Sequence, residues 1–480
     1  MKPVLSVVMF LGAALALFAC ARPATIPLGA LTGGDSLSLS ATVPDLATEV
    51  LPNGLAVVTL EDHRTPLLTI LLAVKAGAFS ETPETDGLTH FYEHLFFKGN
   101  AKVPDQQAYV RRMQELGIVF NGSTSQEAVM YYFTLPKENL RAGLEFMFDA
   151  ITTPAFDEGE MEREKKAVLA EIDRHDAEPY NALWDHVRDA LFFAHPYAKN
   201  VLGSREVIRA ATPQTMRAMQ QRLFVPNNSA LFIVGDVEPG QATQAAAAVF
   251  SAWQRGADPF AATPPAVHPP LERSVTLPLY KPVATALYTI SWQGPRVGQD
   301  PKATYAADVM STALALKSSG FSRRFIDTGL AHQAMVYYHT QEYTGTVDAL
   351  VAADPLQMKA AMEALEEELT LMAQPGYFTP ELLEVAKRRL MFDTLYQRQN
   401  TLELVRNLAF WWCSTGMDYY LGYLDNISKV TPQDIRDFQV RYLTGKPRVT
   451  AMIINRYDAA ANLAGTAFDP AAAAPEGGAQ

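Results

Sequence analysis

The chain has 480 residues, with 52 acidic against 40 basic side chains and a formal charge of −12. That length exceeds one ordinary hydrophobic core and calls for at least two domains. The acidity is diffuse and no Lys/Arg-rich strip interrupts it, which argues against a nucleic-acid partner; two cysteines build no disulfide framework.

The first residues carry Lys2 and then an apolar run from Val4 to Ala19 that ends in small residues and Cys20. Residues 1–21 therefore read as a bacterial export signal, too short for a stable transmembrane anchor. Leu17-Phe18-Ala19-Cys20 reads as a lipoprotein cleavage site that leaves Cys20 lipidated and the protein attached to a membrane. Ordinary cleavage after Ala21 is the alternative. Both place the mature protein in the periplasm. Residues 22–45, rich in Ala, Thr, Leu and Pro, read as a spacer.

Order is expected from about Thr48. Leu51-Pro52-Asn53-Gly54-Leu55 is a hairpin turn leading into a strand over Ala56–Leu60, and Leu67–Val74 is a buried strand by its apolar continuity. Helical periodicity covers residues 88–97 and Tyr109–Leu116. After a polar turn, Val129–Leu135 is β-like. Helices follow over Asn139–Ala150, Glu158–Arg174 and Tyr180–Phe192, and Leu231–Val234 is a buried strand. These elements make up a domain over 46–256. Residues 257–270 hold five prolines and read as a linker. A second domain, 271–458, repeats the theme. Thr212-Pro213-Gln214 precedes Arg222 by the same spacing as Thr431-Pro432-Gln433 precedes Arg441, and a strand follows each, the second over Thr450–Ile454. Residues 459–480 are Ala/Pro/Gly-rich and are expected to be disordered. Cys413, in Phe410-Trp411-Trp412-Cys413, reads as a buried filler.

The chemistry concentrates in His90-Phe91-Tyr92-Glu93-His94. Histidines four apart on a helix leave the same face one turn from each other, as two ligands of one ion must. Glu93 flanks that face and is placed to take a proton from a metal-activated water. This reverses the commoner His-Glu-x-x-His order with the same chemistry. A third ligand has to come from another element. Glu164 and Glu171 lie seven apart on one helix and nearly eclipse each other, so one can ligate while the other supports. His175 is a rival, four residues beyond Glu171. Spacing alone leaves the choice open.

The block Gly87-Leu88-Thr89-His90-Phe91-Tyr92-Glu93-His94-Leu95-Phe96-Phe97-Lys98-Gly99 resembles the active-site helix of the insulinase/pitrilysin family of zinc metallopeptidases. The likeness is greatest to its short members of the mitochondrial-processing-peptidase type. His195-Pro196-Tyr197, Phe224-x-Pro226-Asn227-Asn228 and Val234-Gly235-Asp236 also fit the family pattern. The resemblance implies zinc held by His90, His94 and Glu171, with Glu93 as general base and Glu164 as the supporting carboxylate. It implies an α+β fold of two homologous domains, each a mixed, mainly antiparallel sheet with helices packed on one face. It also implies peptide substrates and a homodimer or heterodimer with a related chain.

Asn121-Gly122-Ser123-Thr124-Ser125-Gln126-Glu127, followed by Tyr131, resembles the family's substrate-binding edge, so Asn121, Thr124 and Tyr131 are expected to meet the peptide. Where the family usually has Ala and a bulky aromatic, this chain has Gly122 and Ser123, which is expected to open the wall near the cleaved bond. The stretch Ser319–Ala331 resembles the segment that supplies an Arg and a Tyr to the anionic intermediate. Arg324 best matches the Arg, with Arg323 as the alternative, and His332 stands at the Tyr position. The reaction implied is endopeptidic hydrolysis of unfolded or short peptides. A metal-binding but silent subunit of a dimeric peptidase is the alternative.

Overall fold

The computed structural model describes residues 46–193, 195–261 and 267–471. The export signal, Cys20, the spacer and residues 472–480 lie outside the described residues.

The first half begins with β1 (Ala47–Val50), β2 (Ala56–Glu61) and β3 (Leu67–Val74). Helices α1 (Leu88–Phe96) and α2 (Gln106–Glu115) precede the hairpin β4 (Val119–Thr124) and β5 (Val129–Pro136). Five helices follow: α3 (Leu140–Thr152), α4 (Glu158–Ala177), α5 (Pro179–Phe192), α6 (Arg205–Ala210) and α7 (Pro213–Leu223). Strand β6 (Ser229–Gly235) and α8 (Pro239–Phe250) close the half.

The second half opens with β7 (Val275–Tyr280), β8 (Ala286–Gln293) and α9 (Pro301–Ala315). A short turn of helix, α10 (Gly320–Ser322), runs into a π-helical turn, Arg323–Asp327. Then come β9 (Gln333–His339), β10 (Thr346–Ala353), α11 (Met358–Met372), α12 (Pro380–Gln397), α13 (Thr401–Ser414) and α14 (Met417–Ser428). Last are α15 (Pro432–Tyr442), β11 (Val449–Ile454) and α16 (Arg456–Asn462).

The two sheets share one topology, apart from β1, an added edge strand of the first. The first runs β1-β2-β6-β3-β5-β4 and the second β7-β11-β8-β10-β9. Each has a single parallel pair, β2 with β6 and β7 with β11, among antiparallel neighbours. The Thr-Pro-Gln landmarks are matching capping boxes: Thr212 with Thr215 opens α7, and Thr431 with Asp434 opens α15, each with Pro at the first helical position.

Each sheet carries its own half's helices on one face, as expected, and the structure adds a helix of the other half on the opposite face. On β3, Leu68, Ile70, Leu72 and Val74 face the first half's own helices. Leu71 and Ala73 face the other way, against Leu404, Val405 and Leu408 of α13. The second sheet mirrors this, with Val449, Ala451 and Ile453 of β11 packed on Leu183, Val187 and Leu191 of α5. Since α5 and α13 hold the same place in the repeat, each half lends one helix to the back of the other's sheet. That double burial is why β3 and β6 read as unbroken apolar runs.

Two further boundaries move. Residues 459–471 pack against the second half: beyond the end of α16 the chain places Leu463 and Phe468 in the second core, and Tyr280 Oη donates to the Phe468 carbonyl at 3.1 Å. The Pro-rich connection is docked where it is described, with Phe260 stacked on Phe79 at 5.4 Å and His268 buried beside Gln293. Cys413 is buried, as expected, and burial pushes its thiol up to about 12. Among the described residues no helix is long and apolar enough to cross a membrane.

Candidate metal centre

Helix α1 buries Leu88, Phe91, Tyr92, Leu95 and Phe96 in the first core. Tyr92 stacks on Phe224 at 4.1 Å and Phe96 on Tyr131 at 3.9 Å. With that face fixed, His90, Glu93 and His94 are turned toward α4 and β4. Helix α4 begins at an Asp157 cap, whose carboxylate accepts from the Glu160 amide. Its buried stripe of Met161, Val168 and Ile172 presents Glu164 and Glu171 to α1.

His90 Nε2 lies 3.8 Å and His94 Nε2 3.5 Å from Glu171 Oε2. The three ligand atoms fall within 4.8 Å of one another. Glu164 occupies the other side of His94: Nδ1 and Oε2 are 3.2 Å apart, and Lys98 Nζ sits 2.6 Å from Oε1 of the same carboxylate. Glu171 is thus the third member of the trio and Glu164 orients His94, the usual arrangement of a ligand and its supporting carboxylate. His175 is turned away, with Nε2 2.8 Å from Asp185. Two imidazoles and one carboxylate converging in a buried site fit a zinc ion with a position open for water or substrate.

Electrostatics fit the same group. Burial, helped by His94, lowers His90 to about 4, so its ring is neutral. Burial also pulls His94 down, but Glu164, Glu171 and Glu93 outweigh it and raise it to about 9. Both Glu164 and Glu171 resist burial through His94 and are held below the usual carboxylate range. Glu93 is raised by burial, an effect opposed first by Thr124, whose hydroxyl donates to Oε2 at 2.6 Å.

Strand β4 is the terminal strand of its sheet, bonded to β5 with Gly122 opposite Tyr131 and Thr124 opposite Val129. Asn121 is exposed on it. The expected polar turn is thus partly strand and only then turn. Thr124, expected to meet substrate, has its hydroxyl engaged by Glu93. Tyr131 is fully buried under α1, so its ring supports the site instead of touching a peptide. Gly122 and Thr124 share the face toward Glu93, and Ser123 falls on the other by strand alternation.

Arg324 and His332 sit apart from the trio. The Arg324 guanidinium bonds Glu368 at 2.7 Å and also Glu367, and exposed His332 lies 3.2 Å from Asp354. Sequence reasoning gave no part to Lys98 or Glu81. Lys98 carried a signal, being four residues past His94, just beyond the end of α1. Glu81 carried none, because its role depends on a tertiary contact.

Family models describe two stretches. Insulinase (Peptidase family M16) matches residues 56–205, and the Peptidase M16 inactive domain matches residues 210–390. A Bacillus subtilis protein named uncharacterized zinc protease YmxG is 22% identical over 351 residues, 73% of this chain and 83% of that one. The beta subunit of the Saccharomyces cerevisiae mitochondrial-processing peptidase is 26% identical over 54% of this chain, a match that spans 57% of the yeast subunit. A solved protease from Helicobacter pylori has the same fold, with a TM-score of 0.78 at 20% identity over 86% of this chain and 100% of that one.

Proposed function

Because the chain belongs to the insulinase family, peptidase family M16, we propose that it is a zinc-dependent endopeptidase acting on unfolded or short peptides. The observation that carries this reading is the convergence of His90, His94 and Glu171 beside Glu93. His90, His94 and Glu171 would hold a zinc ion, which would supply Lewis acidity to lower the pKa of a water and polarise the scissile carbonyl.

The chain's own groups do the rest. Glu93, steadied at Oε2 by Thr124, takes the water's proton and returns it to the leaving amine. Glu164 holds the His94 ring and Lys98 balances its charge. The free edge of β4 takes an extended peptide by main-chain pairing, which makes few demands on side-chain identity and favours flexible substrates. Asn121 stands on that edge. Arg324 and His332 are held by second-half carboxylates, not beside the trio. The family resemblance assigns them donation to the anionic intermediate, which would need a dimer of related chains to close around the peptide and free them from these carboxylates. The apolar leader ending at Cys20 supports work in the periplasm, with a lipid anchor if Cys20 is modified.

The test is zinc content and cleavage of quenched peptides by the purified chain, wild type against Glu93→Gln. The variant is expected to keep its zinc and lose cleavage by at least about a hundredfold. A zinc-loaded variant as fast as wild type overturns the mechanism. If wild type binds zinc but cleaves only with a related chain added, the heterodimer form of the reading gains; if that cleavage is unchanged when the added chain is paired with Glu93→Gln, the silent-subunit reading replaces it.

A further inference from the structure

Helix α1 has no side-chain cap of its own. Its cap residue, Gly87, lies at φ 89°, and the amides of its first turn are served from outside by Glu81. The buried Glu81 carboxylate accepts from Gly87 N at 2.8 Å through Oε2. Through Oε1 it accepts from Thr89 N and Thr89 Oγ1, both at 2.7 Å. On the opposite side the Gly87 backbone is pressed against Gly203, where an added Cβ would reach Gly87 Cα at 2.1 Å. The first turn of the zinc helix is therefore gripped between a carboxylate and a backbone crossing.

The segment that ends in Glu81 also holds the substrate strand. Ala78 N donates to the Ser125 carbonyl at 3.3 Å and Phe79 N to the Gln126 carbonyl at 3.1 Å, just past the end of β4. Lys199 ties the two grips together. Its ammonium donates to the Ala78 carbonyl at 3.1 Å and to the Glu81 carbonyl, and its own carbonyl accepts from Gln126 Nε2 at 2.8 Å. One short bracket, residues 77–81, thus bonds the start of α1 through a side chain and the end of β4 through its backbone.

We infer that Glu81 is a positioning residue for hydrolysis, its carboxylate setting the first turn of α1 against β4 and hence the distance from Glu93 to a peptide on that strand. This rests on the peptidase reading above. Burial, opposed by Gly87, Thr89 and then Lys199, raises Glu81 to about 7. The other charged groups near it are Asp86, ahead of α1, and Arg222 of α7, whose guanidinium donates to the Ser80 carbonyl at 2.7 Å. Protonation turns one accepting oxygen into a donor facing donors, so at least one of the three bonds is lost and the grip loosens as pH falls through about 7.

The test compares wild type with Glu81→Gln, both zinc-loaded, by peptide cleavage and by residue-resolved amide hydrogen exchange corrected for intrinsic rates. Glu81→Gln is expected to keep its zinc, lose about tenfold in kcat with KM changed less than about threefold, and speed exchange at Gly87 and Thr89 by at least about tenfold. In wild type the same two amides are expected to exchange faster below about pH 7, and in Glu81→Gln that pH dependence is absent. Thr89→Val, which removes only the hydroxyl donor, gives a smaller effect of the same kind and carries the test if Glu81→Gln does not fold. Wild-type kcat with wild-type exchange at both amides overturns the inference. Altered exchange in Glu81→Gln together with no cleavage by zinc-loaded wild type overturns the peptidase reading and leaves the grip on α1 standing.

Discussion

Gly122 and Glu93 meet across the gap between β4 and α1: a methyl group on Gly122 would lie 2.8 Å from Glu93 Cγ and 3.0 Å from its Oε1. The space that a side chain at Gly122 would fill is taken by the Glu93 side chain. Gly122→Ala is therefore expected to displace Glu93, lowering kcat about tenfold while zinc content and circular dichroism stay unchanged. Full activity in Gly122→Ala would show that Glu93 has slack there.

Thr124 is the partner that fixes Glu93 from the other direction, its hydroxyl donating to Oε2 at 2.6 Å. A hydrogen bond to a charged group is worth about 1.5–3 kcal/mol. Thr124→Val is therefore expected to lose roughly tenfold to a hundredfold in kcat, and Thr124→Ser to recover most of it. A loss confined to KM would return Thr124 to a substrate-binding role.

Glu164 meets His94 Nδ1 with one oxygen and Lys98 with the other, which leaves it outside the trio. Glu164→Gln is expected to weaken zinc binding by about 10–100-fold, measured by competition with a chromogenic chelator. Glu171→Gln, which removes a member of the trio, is expected to weaken it more. Equal losses would place Glu164 among the ligands.

A zinc ion at the trio would compete with a proton for His94. Its carboxylate neighbours, acting against burial, raise it to about 9, while burial keeps His90 neutral at about 4. Zinc uptake near pH 7.5 is therefore expected to release about one proton, read by calorimetry in buffers of different ionisation enthalpy. The linkage has a definite sign. A histidine raised on folding contributes stability that is complete below its unfolded value of about 6.5 and is lost as pH rises through about 9. With chelator present, Tm is expected to fall over that interval, and saturating zinc to flatten the slope.

The exchanged helices make the halves interdependent. Residues 46–256 alone would leave Leu71, Phe232 and Val234 without the cover that α13 provides. An apolar sheet face of that kind binds dyes and aggregates. Each half expressed separately is expected to be poorly soluble or to bind a hydrophobic dye, and co-expression to restore a cooperative unfolding transition. A cooperative, dye-silent first half would show that the exchange is dispensable.

The amino-acid sequence by itself determined the elements and the chemistry they carry. Leu67–Val74 was legible from apolar continuity and matches β3 end for end. The equal spacing from Thr212-Pro213-Gln214 to Arg222 and from Thr431-Pro432-Gln433 to Arg441 announced the repeat, and the four-residue spacing of His90 and His94 put two imidazoles on one helical face. These signals are local, because period and cap chemistry act within a turn or two of the chain. The tertiary structure decided everything that joins distant segments. It set Glu171 on the open side of the histidines and Glu164 on the far side of His94, and turned His175 toward Asp185. It brought Glu81 under α1 and Gly122 under Glu93, drew Phe468 into the second core, and crossed α5 and α13 between the halves. Such contacts depend on which faces meet when two sheets and their helices pack, and no periodicity along one segment encodes the identity of its partner.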